Sequence, residues 1–127
     1  MAAPNILALT TATPHTVTLT PSDTSRNALV TAPSTGQAHK INQILVANID
    51  GTNAVDATVE LRLADGSTYR AIGSTISVPA DATLVMLDKT TTLYLMDTSV
   101  TGEPSTIYVT SGTASKLTFT CSYETLS

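Results

Sequence analysis

Tryptophan is absent from this chain, cysteine and phenylalanine occur once each, and only 13% of the residues are charged. Each shortage removes a class of protein. A single cysteine, Cys121, leaves no partner for an intrachain disulfide, so the fold must hold by packing and backbone ladders, which 127 residues suffice to build as one domain. Six lysines and arginines stand against ten acidic residues for a formal net charge of −4. Arg26, Lys40, Arg62, Arg70, Lys89 and Lys116 are scattered singly. A nucleic-acid surface needs clustered cations to neutralise phosphates, so no nucleic acid is expected as a partner. Without tryptophan, a glycan platform would have to come from Tyr69, Tyr94, Tyr108, Tyr123 and Phe119. The opening M-A-A-P-N has no basic stretch and no apolar run long enough for a signal peptide or membrane span. That predicts synthesis in a cytoplasm, no entry into secretion by this terminus, and no membrane partner. No Asn-x-Ser/Thr sequon is present, which agrees.

What the chain has is threonine, 25 residues of it, and alternation. Threonine is β-branched and covers a half-solvated pleated surface without charge. From Val55 to Leu63 the sequence V-D-A-T-V-E-L-R-L turns Val55, Ala57, Val59, Leu61 and Leu63 to one face and Asp56, Thr58, Glu60 and Arg62 to the other. A period of two over nine residues would scatter apolar groups around a helix but makes a half-buried strand. Ala64-Asp65-Gly66-Ser67 then supplies a tight turn, which predicts a hairpin from Val55 to Ile72.

The same grammar runs through the chain. Residues 1–39 read as an N-terminal arm with short extended segments packed on a body. Two apolar runs, Ile6 to Leu9 and Val17 with Leu19, are punctuated by Pro14 and Pro21, and a strand from Asn27 to Ala32 follows. Residues 40–127 read as the body. Ile41 to Ile49 is its most continuous apolar run and the expected central strand. After the hairpin come strands over Thr75 to Val78, Thr83 to Leu87 and Thr92 to Met96. Thr106 to Thr110 is then expected to pair through Ser111-Gly112 with Lys116 to Glu124. No stretch offers a helix of ten residues. Short strands at intervals of about eight to twelve residues predict an all-β, antiparallel sandwich or jelly roll with an extended N-terminal arm, one structural domain overall.

The search for chemistry predicts no catalytic residue, no cofactor and no metal site. His15 and His39 both adjoin turn-forming sequence, read as surface polar residues, and lack a nucleophile elbow. Asp50 to Asp56 lacks the spacing of a calcium loop and its distal glutamate, so it reads as a turn. Asp65, Asp81, Asp88 and Asp97 occupy turns, where aspartates bond their own backbone. Cys121 shares a face with Leu117, Phe119 and Tyr123 and is expected to be a buried structural thiol. Tyr94 and Tyr108 alternate with apolar neighbours and are the candidate aromatics of a glycan-binding module. With so few charges to guard its strand edges, the chain is expected to be covered by a partner or by a copy of itself as a homo-oligomer.

The stretch K-I-N-Q-I-L-V-A-N-I-D-G-T-N-A-V-D-A-T-V-E-L, the D-G-S-T-Y-R hairpin, I-S-V-P-A-D-A-T-L-V-M-L-D-K, T-L-Y-L and the closing S-Y-E resemble small β-sandwich virion proteins of tailed bacteriophages, cyanophages among them. The resemblance covers Lys40 to Glu124. It implies a virion structural role, foremost that of a capsid decoration or cement protein on the capsid surface that stabilises the head by bridging major-capsid subunits. The implied contact is the N-terminal arm, through Ile6, Leu7, Leu9, Val17 and Leu19, with the major capsid protein or other virion proteins as partners. A tail, neck or fibre component, or a glycan-binding sandwich, is the alternative.

Overall fold

A computed structural model of the chain describes residues 10–127. It is an antiparallel β-sandwich of nine strands among the described residues: β1 (Ala12–Leu19), β2 (Asn27–Val30), β3 (Ala38–Asn48), β4 (Val55–Leu63), β5 (Tyr69–Val78), β6 (Thr83–Leu87), β7 (Leu93–Met96), β8 (Pro104–Ser111) and β9 (Leu117–Leu126). Sheet A runs β1-β9-β3-β6, with β7 also on β3 beside β6; sheet B runs β2-β8-β4-β5.

The inner faces of the two sheets close over Phe119, Ile41, Ile44, Leu95, Ile107 and Leu117, all fully buried. The alternation that predicts β4 holds over the same bounds, Val55–Leu63, with Val55, Ala57 and Val59 buried in the core. The hairpin to β5 closes at Asp65-Gly66, where Gly66 takes φ +76 and the Gly66 N–H donates to the Leu63 carbonyl at 3.1 Å. Asp65 accepts the Ser67 and Thr68 N–H groups at 2.9 and 2.8 Å. The Thr68 hydroxyl foremost, and then those backbone bonds, stabilise the carboxylate and bring its pKa down to about 2.

The remaining strands adjust the sequence reading in four places. The segment Thr75 to Val78 is the far half of β5 and not a strand of its own. The register with β4 slips twice near Gly73, Thr75 takes φ 47, and the Thr58 hydroxyl accepts the Thr75 N–H at 2.9 Å, so a bulge carries the ladder through. A Cβ at Gly73 would lie 2.7 Å from both Ile76 Cδ1 and Met86 Sδ, so a side chain there would displace the ends of both. The Asp88-Lys89 turn is a 3₁₀ turn over Lys89–Thr91, capped reciprocally by Asp88 and Thr91.

Strands β8 and β9 do not pair with each other. Strand β8 lies between β2 and β4 in sheet B, whereas β9 lies between β1 and β3 in sheet A. The connection arches across the sandwich: Gly112 N–H donates to the Asp56 carbonyl and Ser115 N–H to the Pro21 carbonyl, both at 2.8 Å. Ile107 and Val109 thus face Leu117, Phe119 and Cys121 through the core, and are not their neighbours in one sheet.

Residues 12–19 of the expected arm are strand β1, in an unbroken antiparallel ladder from Ala12 opposite Leu126 to Leu19 opposite Phe119. Pro14 is tolerated because β1 is an edge strand.

Candidate docking surface

The residues proposed from sequence to meet a partner divide. Ile6, Leu7 and Leu9 lie outside the described residues. Val17 and Leu19 are half-buried on the inner face of β1, opposite Cys121 and Phe119, and pack against the core. Their inward faces are thus spent on the molecule's own core. The cause is parity: in T-V-T-L-T the apolar residues turn inward and Thr16, Thr18 and Thr20 turn out.

Those threonines begin an extended outer face. Across the ladder Thr16 meets Ser122, Thr18 meets Thr120, and the Thr20 hydroxyl lies 2.9 Å from that of Thr118, giving two rows of hydroxyls on β1 and β9. The next strand continues the face with Gln43, Leu45 and Ala47 opposite Ser122, Thr120 and Thr118. Strand β6 then adds Val85 beside Leu45 and Thr83 beside Ala47. Ile49 carries the alternation past the end of β3, and Tyr94 stands outward from β7 opposite Lys40. Of the four large apolar side chains that are exposed among the described residues, three lie on this face: Ile49 at 55%, Val85 at 54% and Tyr94 at 36%. Its central field carries no charge; Lys40 and Glu124, ladder neighbours, sit toward one end. A hollow of about 510 Å³ lined by Asn42, Gln43, Asp88, Lys89, Thr90 and Ser122 opens beside it.

The outer face of sheet B is of another kind. Arg26 grips Glu60 by two hydrogen bonds, 2.8 and 3.2 Å, and lies 4.0 Å above the Tyr69 ring. Tyr69 meets Tyr108 edge-on at 5.5 Å, and Arg62 lies 4.9 Å from the Tyr108 ring. These cations and rings use one another's faces, tying β2, β4, β5 and β8 together. Glu60 and Arg62, outward residues of the alternating strand, are thus engaged within the molecule. Tyr94 and Tyr108 belong to opposite sheets and cannot share one aromatic platform.

His39 is buried in β3 and is not the surface residue expected from its neighbours. Its Nδ1 lies 3.0 Å from the Thr125 hydroxyl, and Tyr123 is flanked by the His39 and His15 rings at 4.8 and 4.9 Å. Burial foremost, and then the His15 charge, hold the His39 pKa below the usual histidine range, against a hydrogen bond to the Thr31 backbone. A histidine kept neutral by folding binds its proton first in the unfolded chain, so its contribution is lost as pH falls below about 6.5. The melting temperature is expected to drop as pH falls below about 6.5, ahead of the turn aspartates, whose lowered pKa values act in stronger acid. Calorimetry of the chain and of His39→Asn, which should flatten that slope, checks this; parallel slopes would refute it.

Cys121 is fully buried, and desolvation pushes its thiol up to about 12, so it is inert. Among the described residues no three His, Cys, Asp or Glu side chains gather to hold a metal ion, and no helix is long and apolar enough to cross a membrane.

No protein-family model matches the chain, and no curated protein sequence matches it. Among solved structures it is similar to a protein of Bacillus endospore appendages, a family of disulfide-linked pili, at 11% identity and a TM-score of 0.54 over 98% of this chain and 95% of that one. Chains of infectious bursal disease virus, Gx strain, and of the VP2 subviral particle of that virus match at 14% and 18% identity, each with a TM-score of 0.38 over 89% of this chain. This chain spans 32% of the length of those viral chains. The likeness to the appendage protein is one of fold.

Proposed function

We propose that this chain is a non-enzymatic structural subunit of an assembled particle, and at finer grain a capsid decoration protein that reinforces a tailed-phage head. The observation that carries the reading is the outer face of sheet A, broad, uncharged at its centre and holding three of the four large exposed apolar side chains among the described residues. An uncharged face that exposes apolar side chains is suited to docking. A module that binds only the assembled shell stabilises it by mass action, since each contact raises the free energy needed to part the subunits. In this reading Ile6, Leu7 and Leu9 add an extended contact to an exposed edge of the major capsid protein. Val17 and Leu19 serve the module's own core.

Removing Met1 to Ala8 spares β1 and is expected to abolish co-sedimentation with purified heads while leaving the body folded. Equal occupancy of heads by the shortened chain would overturn the arm contact, and absence of the full chain from heads would overturn the decoration role. A fibre subunit is the reading that the appendage pili suggest. Cys121 is the one cysteine in the chain and lies buried in β9, so a fibre of this chain would have to hold without disulfides among these residues. Electron microscopy of the concentrated protein separates filaments from discrete particles.

A further inference from the structure

We propose that the outer face of sheet A docks against the same face of a second copy of this chain. The inference rests on the structural-subunit reading and names the partner of its docking surface. Charge selects the partner. The chain carries a net −4, so two copies repel wherever their acidic turns approach. The field formed by Thr16, Thr18, Thr120, Leu45 and Val85 is a part of the surface where copies meet with no like-charge penalty. The charges at its margins, Lys40 with Glu124 at one end and Lys116 beside Ile49 at the other, are of mixed sign and form no patch that would select a strongly basic or acidic partner. A surface of hydroxyls and small apolar groups is instead complementary to itself: threonine hydroxyls both donate and accept, and Ile49 and Val85 offer apolar area to be covered.

The size is adequate for a specific but weak contact. The face is four strands wide at about 4.8 Å each, and from Gln43 to Ile49 it runs about 20 Å along the strands. Its projected area is on the order of 400 Å² per copy, so two copies bury about 800 Å² before side-chain relief is counted. Specific interfaces begin near about 1,000 Å² in total, and the Tyr94 end of the face extends the contact past the central field. An isologous pair is therefore expected to form at high concentration and to separate on dilution.

Sedimentation velocity on the full chain, from about 10 μM to about 1 mM, tests this. The unmodified chain should pass from monomer to dimer. Val85→Glu on β6 and Thr18→Glu on β1, both exposed and at opposite margins of the face, should each weaken the dimer at least about tenfold by facing like charges. Ser77→Glu adds the same charge to the exposed outer face of sheet B and should leave the dimer intact. Circular dichroism melts of all three confirm that the fold persists. A dimer that survives both face variants, or is lost only with Ser77→Glu, would overturn this interface while leaving the subunit reading standing. A chain that stays monomeric at about 1 mM would overturn the pairing, and head binding by that monomer, lost with Val85→Glu, would assign the face to a capsid protein instead.

Discussion

Phe119→Ala is expected to destabilise the sandwich by about 3–5 kcal/mol, a large part of the about 5–15 kcal/mol that holds a domain of this size. Phe119 is the one phenylalanine of the chain and heads its fully buried side chains. It stands on β9 with Leu19 of β1 on one side and Val46 of β3 on the other. Truncation removes the apolar surface of the ring and leaves a cavity that residues on regular strands cannot easily collapse to fill. Urea titration should show a markedly lower midpoint with an unchanged slope, and the melting temperature should fall on the order of 10–20 °C. Thr120→Ala, one residue on but outward, should cost less than about 0.5 kcal/mol. If the two substitutions cost the same, the inward and outward assignment of β9 is wrong.

That pair of neighbours also shows where sequence suffices. Inward against outward is a matter of parity, and parity is written locally in T-F-T-C-S, T-V-T-L-T and V-D-A-T-V-E-L-R-L. Strand existence, the bounds of β4 and β6 and the buried thiol follow from it, and the Asp65-Gly66 turn follows from its own residues. Sheet membership does not. A tight hairpin and an arch between sheets both place Ile107, Val109, Leu117 and Phe119 in one core, so their alternating patterns are identical. The choice between them lies in long-range bonds from Gly112 to Asp56 and from Ser115 to Pro21, which no local pattern carries. The placement of Val17 and Leu19 follows the same logic: proline beside them signals an edge, but not whether that edge belongs to the molecule's own sheet or to a partner's. The docking face is legible only in hindsight, because its threonines are ordinary strand residues until β1, β9, β3 and β6 are set side by side.

Asn48 is a case in which the sequence is silent and the expected effect is large. It ends the apolar run of β3 and is buried between the sheets. Its Nδ2 donates to the Val78 carbonyl at 2.9 Å and to the Asn53 carbonyl at 3.0 Å, while its Oδ1 accepts the Asp50 N–H at 2.8 Å. One side chain on sheet A thereby satisfies the last carbonyl of β5 in sheet B and two groups of the loop leading into β4. Asn48→Ala leaves all three without that partner. The loop groups regain water in part, but the Val78 bond is buried, and an unmet buried group costs about 1–3 kcal/mol, so a loss of about 2–4 kcal/mol is expected. Asn48→Asp discriminates the polar clamp from simple packing. It keeps the shape but replaces the double donor by a carboxylate aimed at two carbonyls, which raises its folded-state pKa. A raised carboxyl pKa favours the folded state at low pH and is penalised as pH rises, so this variant should be least stable near pH 7 and recover toward about pH 4. Urea midpoints for both variants at the two pH values measure this. Less than about 1 kcal/mol lost in Asn48→Ala, or no recovery of Asn48→Asp in acid relative to the unmodified chain, would show that water can replace the side chain and that the sheets are joined by apolar packing alone.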